Sequence, residues 1–417
     1  MKNKLLTLAL LPFMLTACPK KDDGGNGNNN TDKKEKDKYT LLIYMCGSDL
    51  ESDGYAASKD ISEMLSVTNQ PKDVNIVIET GGARKWKSTY GISSSVLTRF
   101  HIENGQLVED EQIRNASMGK STTLQSFLEY GINNYPADKM ALVYWNHGDA
   151  MNGCCFDENF SDDSLTNDEC LEAYENAWKN TGFKGKMEWV GYDACLMQVQ
   201  DIADYNSKYF NYMVASQELE NEGGWEYNGW IDDLYAGKDT VTLLKEISNT
   251  FVASSDNSRW GNDQTMSVLD LSKMDAYRSS WEAMTSSLVK IVDTSAKFSA
   301  FKKVMNKAGR FGYDEESIKY NEGYISDVFD VKSFIAAVKN NSTYSSMNNV
   351  LEDLSNKLND LVIYSKAGKD TFEANGLCFY CPVSGANYST SYDAEKTAFN
   401  GWRDFSVEYG KFYSGRY

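Results

Sequence analysis

The chain has 417 residues, enough for one large or two ordinary domains with cores of their own, and a 41% hydrophobic content with 5 prolines fits a globular body. A formal net charge of −18 argues against nucleic acid as a partner, because the phosphate backbone would repel it; the same charge draws cationic substrates.

Lys2 and Lys4 precede a short apolar run, residues 5–15, of signal-peptide length and too short to span a bilayer. It ends in Leu15-Thr16-Ala17-Cys18, which resembles a bacterial lipobox: small residues suit the cleavage site and Cys18 accepts the lipid. Residues 1–18 are therefore expected to be a lipoprotein signal, and the protein an exported lipoprotein held by its lipid at the outer membrane or cell surface. Residues 19–38 carry no aliphatic or aromatic side chain and read as a flexible tether. Lys21-Asp22-Asp23 resembles the surface-export tag of Bacteroidetes lipoproteins.

Residues 39–46 are a continuous apolar run bounded by Gly47-Ser48-Asp49, the pattern of a buried strand. Ser52 or Asp53 can cap a helix running to Val67, and 74–79 is a second buried strand. Asn104-Gly105, between strands over 95–103 and 106–109, is a two-residue hairpin signal. Thr122-x-x-Gln125 resembles a capping box for a helix with Leu124, Phe127, Leu128 and Ile132 at helical spacing, closed by Pro136. Residues 140–146 are a third buried strand, followed directly by His147-Gly148. An amphipathic helix over 165–180 and a fourth strand over 187–192 come next. Then follow Asp193-Ala194-Cys195, a helix from there to about Tyr205, and a fifth strand over 211–216.

This alternation predicts an α/β fold with a mostly parallel sheet and helices on both faces. Beyond about residue 256 it weakens: 265–271 and 376–383 read as strands, and 272–367 as mostly helix. The expected organisation is a catalytic domain over 39–256 and a C-terminal α/β extension over 257–417 packed on it. Of the eight cysteines, seven remain after Cys18, an odd number that leaves at least one thiol free within a single chain. Cys154-Cys155 and Cys378-x-x-Cys381 read as buried small hydrophobes; odd spacing sends the latter pair to opposite faces of a strand.

In open α/β sheets, ligands bind at the carboxyl ends of the strands. Two consecutive strands deliver reactive residues there, one ending in His147-Gly148 and the other in Asp193-Ala194-Cys195. An imidazole beside a thiol lowers the thiol's pKa and later protonates a leaving amine. A helix starting just after Cys195 would favour the thiolate further. The N–H groups of Gly148 and Cys195 are natural donors to an oxyanion, and glycine leaves the approach open. Only two histidines occur; His101 lies in the hairpin and reads as structural, which leaves His147 as the well-placed imidazole.

At this point the sequence resembles the clostripain family of cysteine peptidases, relatives of caspases, gingipains and legumains. The likeness runs through Leu42-Ile43-Tyr44-Met45 with Asp49-Leu50, Tyr144-Trp145-Asn146-His147-Gly148 and Gly153-Cys154-Cys155-Phe156-Asp157-Glu158. It continues through Leu165-Thr166, Gly191-Tyr192-Asp193-Ala194-Cys195-Leu196-Met197 and Ala215-Ser216-Gln217-Glu218 leading to Gly224-Trp225. It ends in Gly376-Leu377 to Tyr380 with Pro382, then Trp402, Phe405 and Tyr409.

The resemblance implies a caspase-like three-layer sandwich and a peptidase whose histidine is His147 and nucleophile Cys195. It implies cleavage after Arg or Lys, with Asp193 in the pocket for the residue before the cut (P1) and a second acid from Glu218 or Glu220. No cofactor is required for the chemistry. Calcium often supports activity in the family, and the candidate oxygen ligands are Asp157, Glu158, Asp162 and Asp163, although solvated loops also produce such acidic groups. The expected partners are Arg- or Lys-containing peptides and, through the lipid, a membrane; a monomer is expected. The alternative is a catalytically inactive homologue serving as a surface-binding lipoprotein. A glycan-capture lipoprotein, suggested by 26 Tyr and 9 Trp, would instead present exposed aromatic platforms on a mostly helical body.

Two departures from the family stand out. After His147 the chain reads Gly148-Asp149-Ala150-Met151, keeping one glycine of a commonly glycine-rich stretch, and Asp149 either touches the imidazole or faces solvent. Many relatives cut themselves after a basic residue between histidine and cysteine, yet here no Lys or Arg occurs from His147 to Trp178. Purified wild-type protein is therefore expected to stay uncut within 150–178. Mass spectrometry against a Cys195→Ala control checks this, and a wild-type-specific cut in that loop would refute it.

Overall fold

Apolar side chains alternate along the first long strand, and both of its faces are buried. In the computed structural model, β1 (Asp37–Cys46) sends Leu41, Ile43 and Met45 into one core and Leu42, Tyr44 and Cys46 into another. A period of two with both faces apolar belongs in mid-sheet. The structure describes residues 36–414 except 115, 256–261, 314–324, 370, 372–373, 382–391, 393–394 and 398. The expected signal, Cys18, residues 19–35 of the tether and Pro382 lie outside the described residues. No helix among the described residues is long and apolar enough to cross a membrane.

The strands that follow are β2 (Val74–Gly81), β3 (Leu97–Glu103), β4 (Gln106–Ile113) and β5 (Ala137–Trp145). A small hairpin, β6 (Cys154–Asp157) with β7 (Asp163–Leu165), precedes β8 (Met187–Asp193) and β9 (Phe210–Ala215). Then come β10 (Thr265–Asp270), β11 (Arg310–Tyr313), β12 (Ile325–Asp330), β13 (Val362–Ala367) and β14 (Cys378–Tyr380). Nine of them form one sheet in the order β13-β10-β9-β8-β5-β1-β2-β3-β4. The five central strands pair in parallel and the two at each end antiparallel. The sheet therefore runs across residue 256: β10 and β13 extend it from the C-terminal half. A second sheet, β11-β12-β14, is antiparallel.

Helices cover both faces of the large sheet. One core takes α3 (Ser121–Asn134), α4 (Asn167–Thr181), α5 (Gln200–Asn206) and α8 (Met274–Val289). The other takes α2 (Ala56–Ser66), α6 (Ile231–Tyr235) and α7 (Thr240–Ser255). The molecule thus has the mixed α/β, caspase-like layering expected.

Three local expectations are corrected. The helix placed after Ser52 begins earlier, as α1 (Ser48–Gly54), and Tyr55 breaks it from α2 by adopting a left-handed conformation (φ 57°). The box at Thr122 does not form, because α3 starts at Ser121 without a side-chain cap. A full capping box forms instead at Thr166 and Glu169, starting α4. The stretch 272–367 is interrupted by β11 and β12, which pair with each other, and by β13, whose partner β10 lies about a hundred residues away in sequence.

One buried ion pair holds the hairpin to the sheet. Glu79 and Arg99 face each other across β2 and β3, with Nε to Oε2 at 2.5 Å and the carboxylate fully buried. Burial pushes the Glu79 carboxyl up to about 7, Arg99 opposing it. Arg99→Ala leaves that group buried and uncompensated, so the variant is expected to lose about 3–5 kcal/mol of stability, measured by denaturant unfolding.

Candidate active site

The site begins with a strand register. β5 and β8 run parallel with Trp145 opposite Asp193, and the Asn146 N–H donates to the Asp193 carbonyl at 3.2 Å. His147 and Cys195 each stand two residues beyond that pair, so both leave the carboxyl edge at one level. Together with Trp145, Asp193, Glu220 and Gly224 they line one cavity of about 130 Å³. The loops touch just beyond the strands: a Cβ on Gly148 would lie 2.3 Å from the Cys195 carbonyl oxygen, so only glycine fits.

His147 is held from the far side. Its Nε2 sits 2.8 Å from Oδ1 of Asp49, which leaves Nδ1 for exchange with a thiol. Burial pushes the Asp49 carboxyl up, but the hydrogen bond and charge of His147 more than offset this and leave it below its usual value. Asp49 also accepts from Ser48 Oγ at 2.9 Å, and Asn146 Nδ2 donates to both Ser48 Oγ and the Cys46 carbonyl at 2.7 Å. The imidazole's partner is thus Asp49 from α1; Asp149 instead accepts from Asn152 Nδ2 at 3.0 Å, and burial pushes it up to about 6.

The Cys195 sulphur accepts the Glu220 N–H at 3.2 Å. Burial pushes the thiol above its usual value, and the charge of Glu218 adds to this. The amides of Glu220, Cys195 and Gly148 act in the opposite sense. Gly148 and Cys195 are the two expected oxyanion donors, and both amides lie against the sulphur. The expected helix dipole at Cys195 is absent. Residues 196–199 run non-helically, Leu196 at φ 63°, and α5 starts only at Gln200. In that stretch the Leu196 and Gln198 amides donate to the Glu218 and Ser216 carbonyls, so packing against the 216–218 segment outcompetes a helical turn.

Beside the sulphur lies a pocket of buried acids. Asp193 accepts from the Trp225 amide at 3.2 Å and the Tyr227 hydroxyl at 3.0 Å, and burial pushes it up to about 7. Glu220 abuts it; burial, then the Asp193 charge, push that carboxyl far up, and its buried oxygens make no well-formed hydrogen bond, with the Asp193 carboxyl and the Ala194 amide close by. A third carboxyl, Asp60 of α2, accepts from Trp145 Nε1 at 2.7 Å. A Cβ on Gly224 would lie 3.1 Å from Asp193 Oδ1 and 3.4 Å from Asp60 Oδ2. Of the two acids left open by sequence, Glu220 enters the cavity wall. Glu218 does not; it accepts the Leu219 and Gly312 amides at 2.8 and 2.7 Å, tying the loop to β11.

Asp49 and Asp60 were not singled out as site residues. Asp60 did carry a signal: it falls with Ala57, Ile61 and Met64 on the apolar face of α2, where a carboxylate has no structural reason to be.

The proposed calcium ligands do not converge. Asp157 accepts the Met118 and Asn159 amides, and Glu158 is bound by Ser52 and Arg84. Asp163 takes Ser117 and Lys120, while Asp162 lines a different cavity next to His147. Among the described residues no three His, Cys, Asp or Glu side chains could share a metal ion. The seven thiols there are unbridged, and all but Cys195 are buried.

A family model described as the clostripain family matches residues 43–413. The chain belongs to the clostripain family. It is 24% identical to clostripain of Hathewaya histolytica, across 87% of this chain and 78% of that protein. Its fold is similar to a secreted C11 cysteine protease of Bacteroides thetaiotaomicron in complex with an irreversible peptide inhibitor. The TM-score is 0.63 at 16% identity, covering 88% of this chain and 99% of that one. It is also similar to an inactive zymogen C11 protease of Parabacteroides distasonis, with TM-score 0.62 at 15% identity over 91% and 99% of the two chains. The protein is a clostripain-like cysteine peptidase, and this chemistry needs no cofactor.

For such a peptidase the Asp49 contact has a kinetic consequence. Asp49→Asn is expected to lower kcat at least about tenfold with little change in KM, and to displace the pH–rate profile; Asp49→Glu should recover part of the loss. Steady-state kinetics across pH check this.

Proposed function

We propose that the protein is an endopeptidase that cleaves after Arg or Lys through a Cys195–His147 dyad and a thioester acyl-enzyme. The observation that carries the specificity is the buried acidic wall of Asp193 and Glu220 beside the sulphur. Buried carboxylates without a cation are costly, and a P1 guanidinium or ammonium supplies the missing charge.

In this reading His147 takes the Cys195 proton at Nδ1, and the thiolate attacks the carbonyl carbon. The Gly148 and Cys195 amides receive the oxyanion. His147 then protonates the leaving amine, with Asp49 stabilising the imidazolium. Water, deprotonated by His147, attacks the thioester carbonyl and releases the acid product and free thiol. We further propose that Cys18 is lipidated and holds a monomeric enzyme at the outer membrane or cell surface.

Fluorogenic peptides ending in Arg, Lys or a neutral residue test the specificity. Wild type is expected to cleave the first two, and Cys195→Ala to cleave none. Absent turnover by a folded wild type would favour the binding-lipoprotein reading. The pocket also sets a pH dependence. Asp193, raised to about 7, is neutral below that pH and ionised above it, so KM for Arg and Lys peptides is expected to fall as pH rises from 6 to 8. Asp193→Asn should flatten that trend. Stability runs the other way: a carboxyl with a raised folded value stabilises the ligand-free fold at low pH and loses that contribution as pH rises from its unfolded value to about 7.

A further inference from the structure

The wall that faces a P1 cation and the attacking sulphur share atoms. Glu220 lends its N–H to Cys195 Sγ at 3.2 Å while its carboxyl stands in the same cavity wall. Asp193 lies two residues before Cys195 and abuts that carboxyl. Glu218 adds its charge near the sulphur, and Asp60 stands beneath Gly224 with one buried oxygen unpaired. Glu63 reaches Asp193 by charge from α2. On the positive side Lys59, whose charge reaches Asp60, is bound to Glu63 at 3.3 Å and is 54% exposed. The ligand-free thiol therefore sits in a poorly solvated surround whose neighbours are acids, Asp193 and Glu218 ionising at about 7, and such a surround opposes a negative charge on sulphur.

We propose that the P1 cation activates the nucleophile that cuts beside it: seated between Asp193 and Glu220, it sets a positive charge next to the buried sulphur and favours its ionised form. This rests on reading the cavity as the P1 pocket. The Cys195 proton passes to Nδ1 of His147, the sulphur keeps the electron pair, and the imidazolium formed is balanced by Asp49 at Nε2. A substrate without a basic P1 residue would lose both its anchor and this help. Discrimination would then appear in the chemical step as well as in binding, because the interaction strengthens as charge develops on sulphur.

The test separates the cation from the scissile bond. Full-length wild-type protein is alkylated with iodoacetamide at pH 8, where sulphur displaces iodide, and Cys195 labelling is followed by peptide mass spectrometry. Butylguanidinium and butylammonium stand in for the Arg and Lys side chains, and butylurea is the uncharged control. The two cations are expected to speed labelling about tenfold, the effect of one pKa unit on thiolate content, and butylurea to leave it unchanged. The gain should shrink below pH 7, where Asp193 is protonated, and vanish in Glu220→Gln and Asp193→Asn. If the cations slow labelling or leave it unchanged while Arg and Lys peptides are still cleaved, this inference fails and the pocket assignment survives. If those peptides are not cleaved and the cations have no effect, both fail.

Discussion

The parallel pairing of β5 with β8 is the constraint on which the site depends. Backbone hydrogen bonds fix Trp145 opposite Asp193, and the chain allows little variation in where the next two residues emerge. His147 and Cys195 are thereby delivered to one cavity, although 47 residues intervene. The contact between Gly148 and the Cys195 carbonyl then brings the two loops closer than any side chain would permit. Neighbouring strands serve the same edge: β1 ends at Cys46 and leads into Ser48 and Asp49, while β9 leads into Glu218 and Glu220. Four consecutive strands of the sheet therefore each contribute to one small region.

Around that region charge is distributed unevenly, and the imbalance has a direction. The imidazole is matched, with Asp49 at hydrogen-bond distance. The pocket is not: Asp60, Asp193 and Glu220 are all buried and all pushed towards their neutral forms, chiefly by burial. Buried like charges stabilise nothing by themselves. Elsewhere buried acids are answered by a base, as Glu79 is by Arg99, or by several neutral donors, as Asp330 is by Gln217, Ser333 and Asn375. Glu220 beside Cys195 has no such answer, and that gap is what supports the proposed cation pocket.

Much of this was legible along the chain because it was local. Uninterrupted apolar runs located the central strands, and His147 and Cys195, each two residues past the end of one of them, meet in one cavity. The choice between Glu218 and Glu220 was not legible. Two acids two residues apart on an irregular loop carry no periodicity, and only the hydrogen bond from Gly312 shows which one turns away. The missing helix at Cys195 has a similar cause. Its sequence suits a helix, but residues 196–199 are held by the 216–218 segment and, through the bridge from Val199 to Cys378, by the second sheet. The acidic cluster at 157–163 reads as a ligand set along the chain, but Asp157, Glu158 and Asp163 each take donors of their own and Asp162 lines a separate cavity.

The fold class, and the placing of His147, Asp193 and Cys195 at one edge of the sheet, could be read from the chain alone, since hydrophobic period, strand ends and ordered motifs are all local properties. Tertiary structure decided which acid completes the pocket, that Asp49 rather than Asp149 holds the imidazole, and that Asp60 lies beneath the pocket floor. Those outcomes follow from contacts between segments up to about a hundred residues apart, such as His147 with Asp49 and Glu218 with Gly312. A side chain's partner across such a separation is set by how the sheet is assembled, and no stretch of sequence holds that information alone.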